Sequence, residues 1–235
     1  MKANVLLSIL VFTSILLFTC ETTPQGKTVG KVDSQSLKAE YNKKLQWDFD
    51  KLPVGQIPEG WKIEGTRAKK AQTKWQVMAD QTAPSGQQVL ALTNTYHKSR
   101  SIFNLCWTNK ITFLNGSIKV QFKAVRGKVD QGGGLIWRVR DKGNYYVVRF
   151  NPLEDNLRLY TVRKSIRKML KSVDIHLNAG WHTLKIIHHG QRIEVYLNAK
   201  RQMSVRNNTF TQGGGIGLWT KADAVTSFDD LVLRY

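Results

Sequence analysis

The chain has 235 residues, enough for one all-β domain of ordinary size and a leader. Hydrophobic residues make up 41% of it, within the globular range, so composition does not exclude a sizeable core. The formal net charge of +19 indicates an anionic partner or surface, such as nucleic acid, anionic lipid or acidic polysaccharide. Because Cys20 and Cys106 are the only cysteines, a disulfide framework and a cysteine-based metal site are excluded.

Residues 1–20 have the pattern of a secretory signal peptide. Lys2 supplies the positive start, and the apolar run from Val5 to Phe18 is shorter than the roughly 20 residues of a spanning helix. The run ends in Leu-Phe-Thr-Cys, which resembles the lipobox of bacterial lipoproteins and predicts lipidation of Cys20. An uncleaved anchor and ordinary cleavage are the alternatives. The expected location is the bacterial cell envelope, on the membrane and facing the periplasm or the exterior.

The rest of the chain predicts a polar tether over residues 21–45 and an all-β domain over residues 46–235. A dozen or so short strand-like runs follow one another at intervals of about ten residues, with turn signals between them, which is typical of a β-sandwich or barrel. The basic run from Arg163 to Lys171 predicts a hairpin and not a helix, because strands flank it. Cys106 lies in an apolar run, which predicts a buried thiol.

The stretch from Gly132 to Tyr160 contains three strand-like runs, separated by turns at residues 141–144 and 151–156. Side chains alternate between the two faces of a strand, so Trp137 is predicted in the core, as is Leu218 further along the chain. Alternation predicts that the polar side chains of the three runs share the opposite face, namely Arg138, Arg140, Tyr145, Arg149, Asn151, Arg158 and Tyr160. Such a face suits a ligand with hydroxyl groups and flat rings, although a simply solvated sheet face is the alternative.

A series of short motifs then resembles a known family. They are, in order, Trp47-Asp48-Phe49-Asp50, Gly134-Leu135-Ile136-Trp137-Arg138, Asn144-Tyr145-Tyr146, Arg149-Phe150-Asn151, Gly180-Trp181-His182-Thr183-Leu184, Gly215-Ile216-Gly217-Leu218-Trp219 and Phe228-Asp229-Asp230. The series is similar to the bacterial laminin-G-like and concanavalin A-like lectin and glucanase sandwiches, and within them to 3-keto-disaccharide hydrolase-like domains. The resemblance implies a jelly roll of two antiparallel sheets, one of them with a concave, sugar-binding face. It also implies that the strands near Phe49 and Phe228 pair.

Catalytic and metal-binding signals are sparse. Glycosidases need two carboxylates about 5–10 Å apart, and the acidic strand motif of laminarinase-type relatives is absent. Glu154 is the best catalytic candidate, with a solvated acid or an arginine partner as the alternative. Asp48 or Asp50 together with Asp229 could bind calcium, but pairing with basic side chains is the alternative, and no cofactor is predicted.

The sequence therefore predicts an extracytoplasmic, carbohydrate-binding lipoprotein whose ligand is a glycan of acidic character. The predicted ligand-binding residues are Arg138, Tyr145, Arg149, Asn151 and Tyr160, with Trp219 as a stacking neighbour. One alternative is a hydrolase of 3-keto or related disaccharides, and another is a binder of anionic surfaces through net charge. Nucleic acid is not expected as the partner, because the chain carries an export signal.

Overall fold

The computed structural model describes residues 41–70, 73–96 and 99–235, so the predictions for residues 1–40, including Cys20, lie outside it. The described residues form strands and no α-helix, and none of them offers a helix suited to crossing a membrane. The fifteen strands are β1 (Lys44–Trp47), β2 (Trp61–Thr66), β3 (Thr73–Ala79), β4 (Gln88–Thr95), β5 (Phe103–Phe113), β6 (Gly116–Arg126), β7 (Gly133–Asp141), β8 (Asn144–Asn151), β9 (Asn156–Arg163), β10 (Ile166–Asp174), β11 (Trp181–His189), β12 (Arg192–Leu197), β13 (Lys200–Arg206), β14 (Gly214–Lys221) and β15 (Val225–Arg234).

The strands form two antiparallel sheets, as expected for a jelly-roll sandwich. Sheet I has eight strands in the order β13-β12-β11-β6-β15-β4-β3, with β1 added beside β15. Sheet II has seven strands in the order β10-β9-β8-β7-β14-β5-β2. The first strand pairs with the last through Trp47 and Leu231, as the resemblance implied.

The main core lies between the sheets, where one face of each contributes apolar side chains. Trp137 and Leu218 are both fully buried in it, which confirms the prediction from side-chain alternation. Phe122 and Phe228 reach the same core from sheet I. Cys106 is also buried there, and its desolvation raises the pKa of the thiol, so it packs as a small apolar group.

The predicted hairpins are also present. β7 and β8 join at residues 141–144, and β9 follows β8 after the turn at residues 151–156. The basic run forms the hairpin of β9 and β10, in which Arg163 pairs with Ile166. Its turn residues Lys164 and Ser165 have φ angles of 50° and 63°, which match the strand twist in a two-residue hairpin turn.

Asp50, Asp229 and Asp230 lie together where β15 meets the loop before β4. Ser85 N donates to Asp229 Oδ2 over 3.1 Å, and Gln87 N donates to Asp50 Oδ1 over 2.8 Å. In the part of the chain that the structure describes, no three His, Cys, Asp or Glu side chains are arranged to hold a metal ion. Burial, with repulsion from Asp230 and Asp50, raises the pKa of Asp229 to about 6 despite the hydrogen bonds that it accepts.

We expect this carboxyl group to make stability fall as pH rises. Since the folded pKa of Asp229 is raised from 3.8 to about 6, its contribution is fully present below about pH 4 and is lost as pH rises through 6. By pH 7 the contribution lost from the free energy of unfolding amounts to about 3 kcal/mol. Asp230→Asn should therefore raise the free energy of unfolding by roughly 1 kcal/mol at pH 7, because it removes one repelling charge.

Urea unfolding of both proteins at pH 4 and pH 7 checks this expectation. Asparagine suits the substitution, because its amide oxygen can still accept the hydrogen bond from Ser85 Oγ. It also tolerates the φ of 48° at residue 230. The gain should vanish at pH 4, where Asp229 is protonated in either protein. An equal gain at both pH values would contradict the electrostatic explanation.

Candidate functional site on the concave face of sheet II

Five of the six predicted ligand-binding residues share one face of sheet II. This face, turned away from sheet I, is the concave face, and it carries Tyr145, Arg149, Asn151, Tyr160 and Trp219. The register places Arg149 opposite Arg158 and Asn151 opposite Asn156 on the neighbouring strand. Gly134 pairs with both Arg149 and Trp219, so these two side chains flank a position that carries none. Alternation along β8 and β9 therefore holds as predicted.

Arg138 does not belong to this face, so its predicted place is wrong. The pairing of β7 with β8 is irregular between Trp137 and Asp141, and Arg138 has a φ of 48°. A bulge of this kind re-aims side chains and breaks the alternation. The buried guanidinium of Arg138 instead donates to three backbone carbonyl oxygens, those of Leu114, Gly190 and Phe210. These hydrogen bonds hold together the loops that contain Leu114, Gly190 and Phe210 at one end of the sandwich.

The middle of the concave face is a second hydrophobic core, which corrects the expectation of an exposed polar face. Tyr145 and Trp219 are fully buried, and Trp219 packs on the ring of Phe103 at 5.3 Å. The other apolar members of this cluster are Leu105, Trp107, Ile136, Val139, Val147, Tyr160 and Val162. Truncation of Tyr145 should therefore disturb folding, and Trp219 offers no free ring surface to a ligand in this state.

Contacts across the concave face show that sheet II curls until its two edges approach each other. Thr66 Oγ1, at the end of β2, lies 2.7 Å from Tyr145 Oη and 2.5 Å from the carbonyl oxygen of Lys142. In the loop that follows, Arg67 Nε donates to the carbonyl oxygen of Ser165 over 2.9 Å. Loop and hairpin turns thus close over one end of this face, which explains the burial of Tyr145.

Tyr160 lies between two guanidinium groups near the rim of this second core. The Arg167 guanidinium carbon is 4.4 Å from the centre of its ring, and Arg149 Nη2 lies 3.4 Å from its hydroxyl oxygen. Arg149 Nη1 donates to the backbone and side-chain oxygens of Asn156. We call Arg149, Asn156, Tyr160 and Arg167 the arginine–tyrosine cluster. Arg167 and Asn156 were not among the predicted site residues.

Each guanidinium in this cluster has a buried N–H that finds no acceptor. Arg149 Nε and Arg167 Nη1 are both inaccessible and without a hydrogen-bond partner. A buried donor in this condition costs about 1–3 kcal/mol, so it marks a place where an acceptor is expected. Burial lowers the pKa of Arg167, and the charge of Arg149 adds to this, although Tyr160 opposes it. The cluster therefore has two N–H donors without acceptors and an excess of positive charge.

Glu154 lies where this cluster meets solvent. Its side chain is 39% exposed, and its Oε2 is 2.7 Å from Arg149 Nη2 and 3.0 Å from Arg158 Nη1. Burial alone would raise the pKa of Glu154, but the charge and hydrogen bond of Arg149, with help from Asn156 and Arg158, lower it below its usual value. Glu154 is thus an arginine partner and a carboxylate, whereas a general acid needs a raised pKa.

The last predicted residue, Asn151, lies beside the cluster and orders its border. Its amide nitrogen donates to Asp130 Oδ1 over 3.3 Å, and its amide oxygen accepts from the backbone of Leu153. Asp130 is buried and also binds Lys221 Nζ at 2.8 Å. Asn151 therefore stabilises the loop before β9 and lies beside the arginine–tyrosine cluster, not within it.

Comparisons with known proteins agree on the fold. No protein-family model matches the chain, and no curated protein matches its sequence. Among solved structures, the carbohydrate-binding module CBM66 from Bacillus subtilis is similar with a TM-score of 0.54 and 15% identity, covering 73% of this chain and 93% of that one. A GH16 protein of the mixed-linkage glucan locus of Bacteroides ovatus, in complex with a product, is similar with a TM-score of 0.56 and 10% identity, covering 81% and 99%.

A GH43 protein from Bacillus licheniformis is also similar, with a TM-score of 0.56 and 15% identity over 81% of this chain but 39% of that one. These similar proteins are carbohydrate-binding modules and glycoside hydrolases built as concanavalin A-like or galectin-like sandwiches. At such identities the likeness concerns the fold. The described part of the chain is an all-β jelly-roll sandwich of two antiparallel sheets, as the sequence predicted.

Proposed function

We propose that this protein is a carbohydrate-binding domain whose ligand is held at the arginine–tyrosine cluster of sheet II. The observation that carries the proposal is the pair of buried, unpartnered N–H groups on Arg149 and Arg167, on either side of Tyr160. In the proposed complex, the side chains that cover these two N–H groups move aside, and oxygens of the ligand accept hydrogen bonds from them. Sugar hydroxyl and carboxylate oxygens are such acceptors.

The charge of the cluster favours an acidic sugar over a neutral one. Two guanidinium groups face Tyr160, and the nearby carboxylate of Glu154 is shared between Arg149 and Arg158. A uronic acid would supply a carboxylate whose two oxygens can accept one charge-assisted hydrogen bond from each guanidinium. The buried ring of Tyr160 packs against both guanidinium groups and holds them in position. The fold supports this proposal at a coarse level, because similar sandwiches are carbohydrate-binding modules and glycoside hydrolases.

The rival functions receive less support. A hydrolase related to 3-keto-disaccharide hydrolase-like domains would need a general acid, and Glu154 is held ionised by two arginines. Binding through net charge alone would not require unpartnered donors at one place.

Attachment to the cell envelope through a lipid on Cys20 remains a proposal from the sequence. Its test is labelling with a fatty-acid analogue, which Cys20→Ser should abolish.

Arg149→Lys and Arg167→Lys should each weaken binding of a uronate oligosaccharide about tenfold. Lysine keeps the charge but lacks the planar guanidinium group. The affinity should therefore fall only if binding depends on the geometry of the arginine side chain and not on its charge alone. Isothermal titration with oligogalacturonate, at low and at moderate salt, measures the effect. The matched control is Arg201→Lys, an exposed position on sheet I, which should leave the affinity unchanged.

Two outcomes would overturn the proposal. If all three lysine variants bind as the wild type does and affinity falls steeply with salt, only a basic surface is involved. If laminarin oligosaccharides, which are neutral, bind as tightly as oligogalacturonate, the acidic specificity is wrong. Thermal unfolding of each variant separates a lost contact from a lost fold.

A further inference from the structure

A polar cleft lies at one end of the sandwich and is lined by residues other than those of the arginine–tyrosine cluster. The β7–β8 turn, the β9–β10 turn and the loop between β13 and β14 enclose it, and its volume is about 560 Å³. This end cleft is lined by Arg140, Asp141, Asn144, Arg163, Lys164, Asn208, Thr209 and Phe210. We propose that it binds the sulfate or phosphate ester of an anionic glycan.

Three cations converge on the end cleft without an acidic partner. The side chains of Arg140, Arg163 and Lys164 are exposed, and none of them makes an ion pair within the described residues. The carboxylate of Asp141 also lines the cleft, where it accepts hydrogen bonds from Gly143 N and Asn144 Nδ2, so three positive charges face one negative charge. The cleft therefore keeps an excess of positive charge that a bound anion would neutralise.

The walls of the end cleft are held in place before any ligand arrives. Ser165 N donates to the carbonyl oxygen of Gly143 over 2.9 Å, and Lys164 N donates to Asn144 Oδ1 over 3.0 Å, so the two turns are tied together. On the opposite wall, Phe210 N donates to Tyr146 Oη over 3.2 Å. A preorganised site loses less conformational entropy when a ligand binds.

The arrangement of donors selects the class of ligand. Arg140 lies with its guanidinium carbon 5.5 Å from the centre of the Phe210 ring, which orients its planar fork beside the cleft. The amide of Asn208 adds a polar group to the same walls. A sulfate or phosphate ester has three terminal oxygens, enough to accept from two guanidinium groups and an ammonium group at once. The volume lies in the range of about 300–1,000 Å³ that ligand pockets occupy, so a sugar unit fits beside the ester.

The end cleft and the arginine–tyrosine cluster share no residue, so the two sites can be tested separately, although the choice of a glycan as the ligand rests on the proposed function. Arg140→Gln and Arg163→Gln should each weaken binding of a κ-carrageenan tetrasaccharide, a sulfated sugar without uronic acid, about tenfold, because each removes one charge-assisted contact. Lys168→Gln is the matched control. It removes the same charge from an exposed position on the same hairpin outside the cleft, and its affinity should change less than twofold.

Titration at 150 mM salt with the carrageenan tetrasaccharide, its desulfated form and inorganic sulfate separates the possible sources of the anion. Binding of the sulfated sugar alone, with amide chemical-shift changes at Asn144 and Asn208, supports the proposal. Equal losses in Lys168→Gln and Arg140→Gln would overturn it in favour of diffuse charge. Equal affinity for the desulfated sugar would overturn the ester, and equal affinity for inorganic sulfate would overturn the glycan. Because this sugar carries no uronic acid, its binding does not test the arginine–tyrosine cluster, so failure of one site is distinguishable from failure of the other.

Discussion

Replacing Trp137 with alanine should lower the free energy of unfolding by about 3–5 kcal/mol, the range for removing a large aromatic side chain from a packed core. Trp137 is fully buried, and its ring stacks on Tyr146 with centroids 5.5 Å apart. Its Nε1 donates to His188 Nδ1 over 2.9 Å. Burial lowers the pKa of His188 to about 3, so this imidazole stays neutral and accepts the bond. Alanine therefore leaves both a cavity and an unpartnered nitrogen.

Trp137→Phe is the control that separates these two losses. Phenylalanine keeps most of the buried area but cannot donate to His188, so it should cost about 1–3 kcal/mol, the cost of one buried group left unsatisfied. Equilibrium unfolding in urea, followed by tryptophan fluorescence and circular dichroism, measures both variants. A midpoint that barely moves in Trp137→Ala would show that the two faces of β7 are assigned the wrong way round.

Side-chain alternation predicted the main core because strands obey it wherever their pairing is regular. Leu218 lies within a stretch of continuous register and Trp137 at the end of one, just before the bulge, and both are buried between the sheets. The hairpin turns followed from their Gly, Asn, Asp and Pro residues, which are local signals. The motif series pointed to the sandwich, and the sheet order agrees. Such features depend on near neighbours in the sequence.

The burial of the concave face was not predicted, because it depends on contacts between distant parts of the chain. The tie between Arg67 and Ser165 spans 98 residues of sequence. One local signal was available, since Leu135-Ile136-Trp137 and Tyr145-Tyr146-Val147-Val148 are nearly continuous apolar runs. Runs of that kind are typical of strands that are buried on both faces. Ile136 and Val147 already indicated that the second face of sheet II was not simply polar.

Arg138→Met should lower the free energy of unfolding by about 3 kcal/mol. The substitution keeps the length of the side chain but leaves the carbonyl oxygens of Leu114, Gly190 and Phe210 without their donor. A single buried acceptor left unpaired costs about 1–3 kcal/mol, and removal of a buried charge offsets part of the sum. Arg138→Lys should recover part of the loss, because an ammonium group can donate to some of these oxygens but lacks the guanidinium fork.

Arg140→Met is the decisive comparison, because strict alternation would place both arginines together on an exposed polar face. In the structure Arg140 is exposed and makes one ring contact, with Phe210, so its loss should change stability by no more than about 0.5 kcal/mol. Urea unfolding of the two methionine variants should therefore differ by more than about 2 kcal/mol. Equal and small effects would mean that the bulge after Trp137 does not form. Arg138 would then return to the concave face opposite Tyr145, and the loops around Phe210 would need another support.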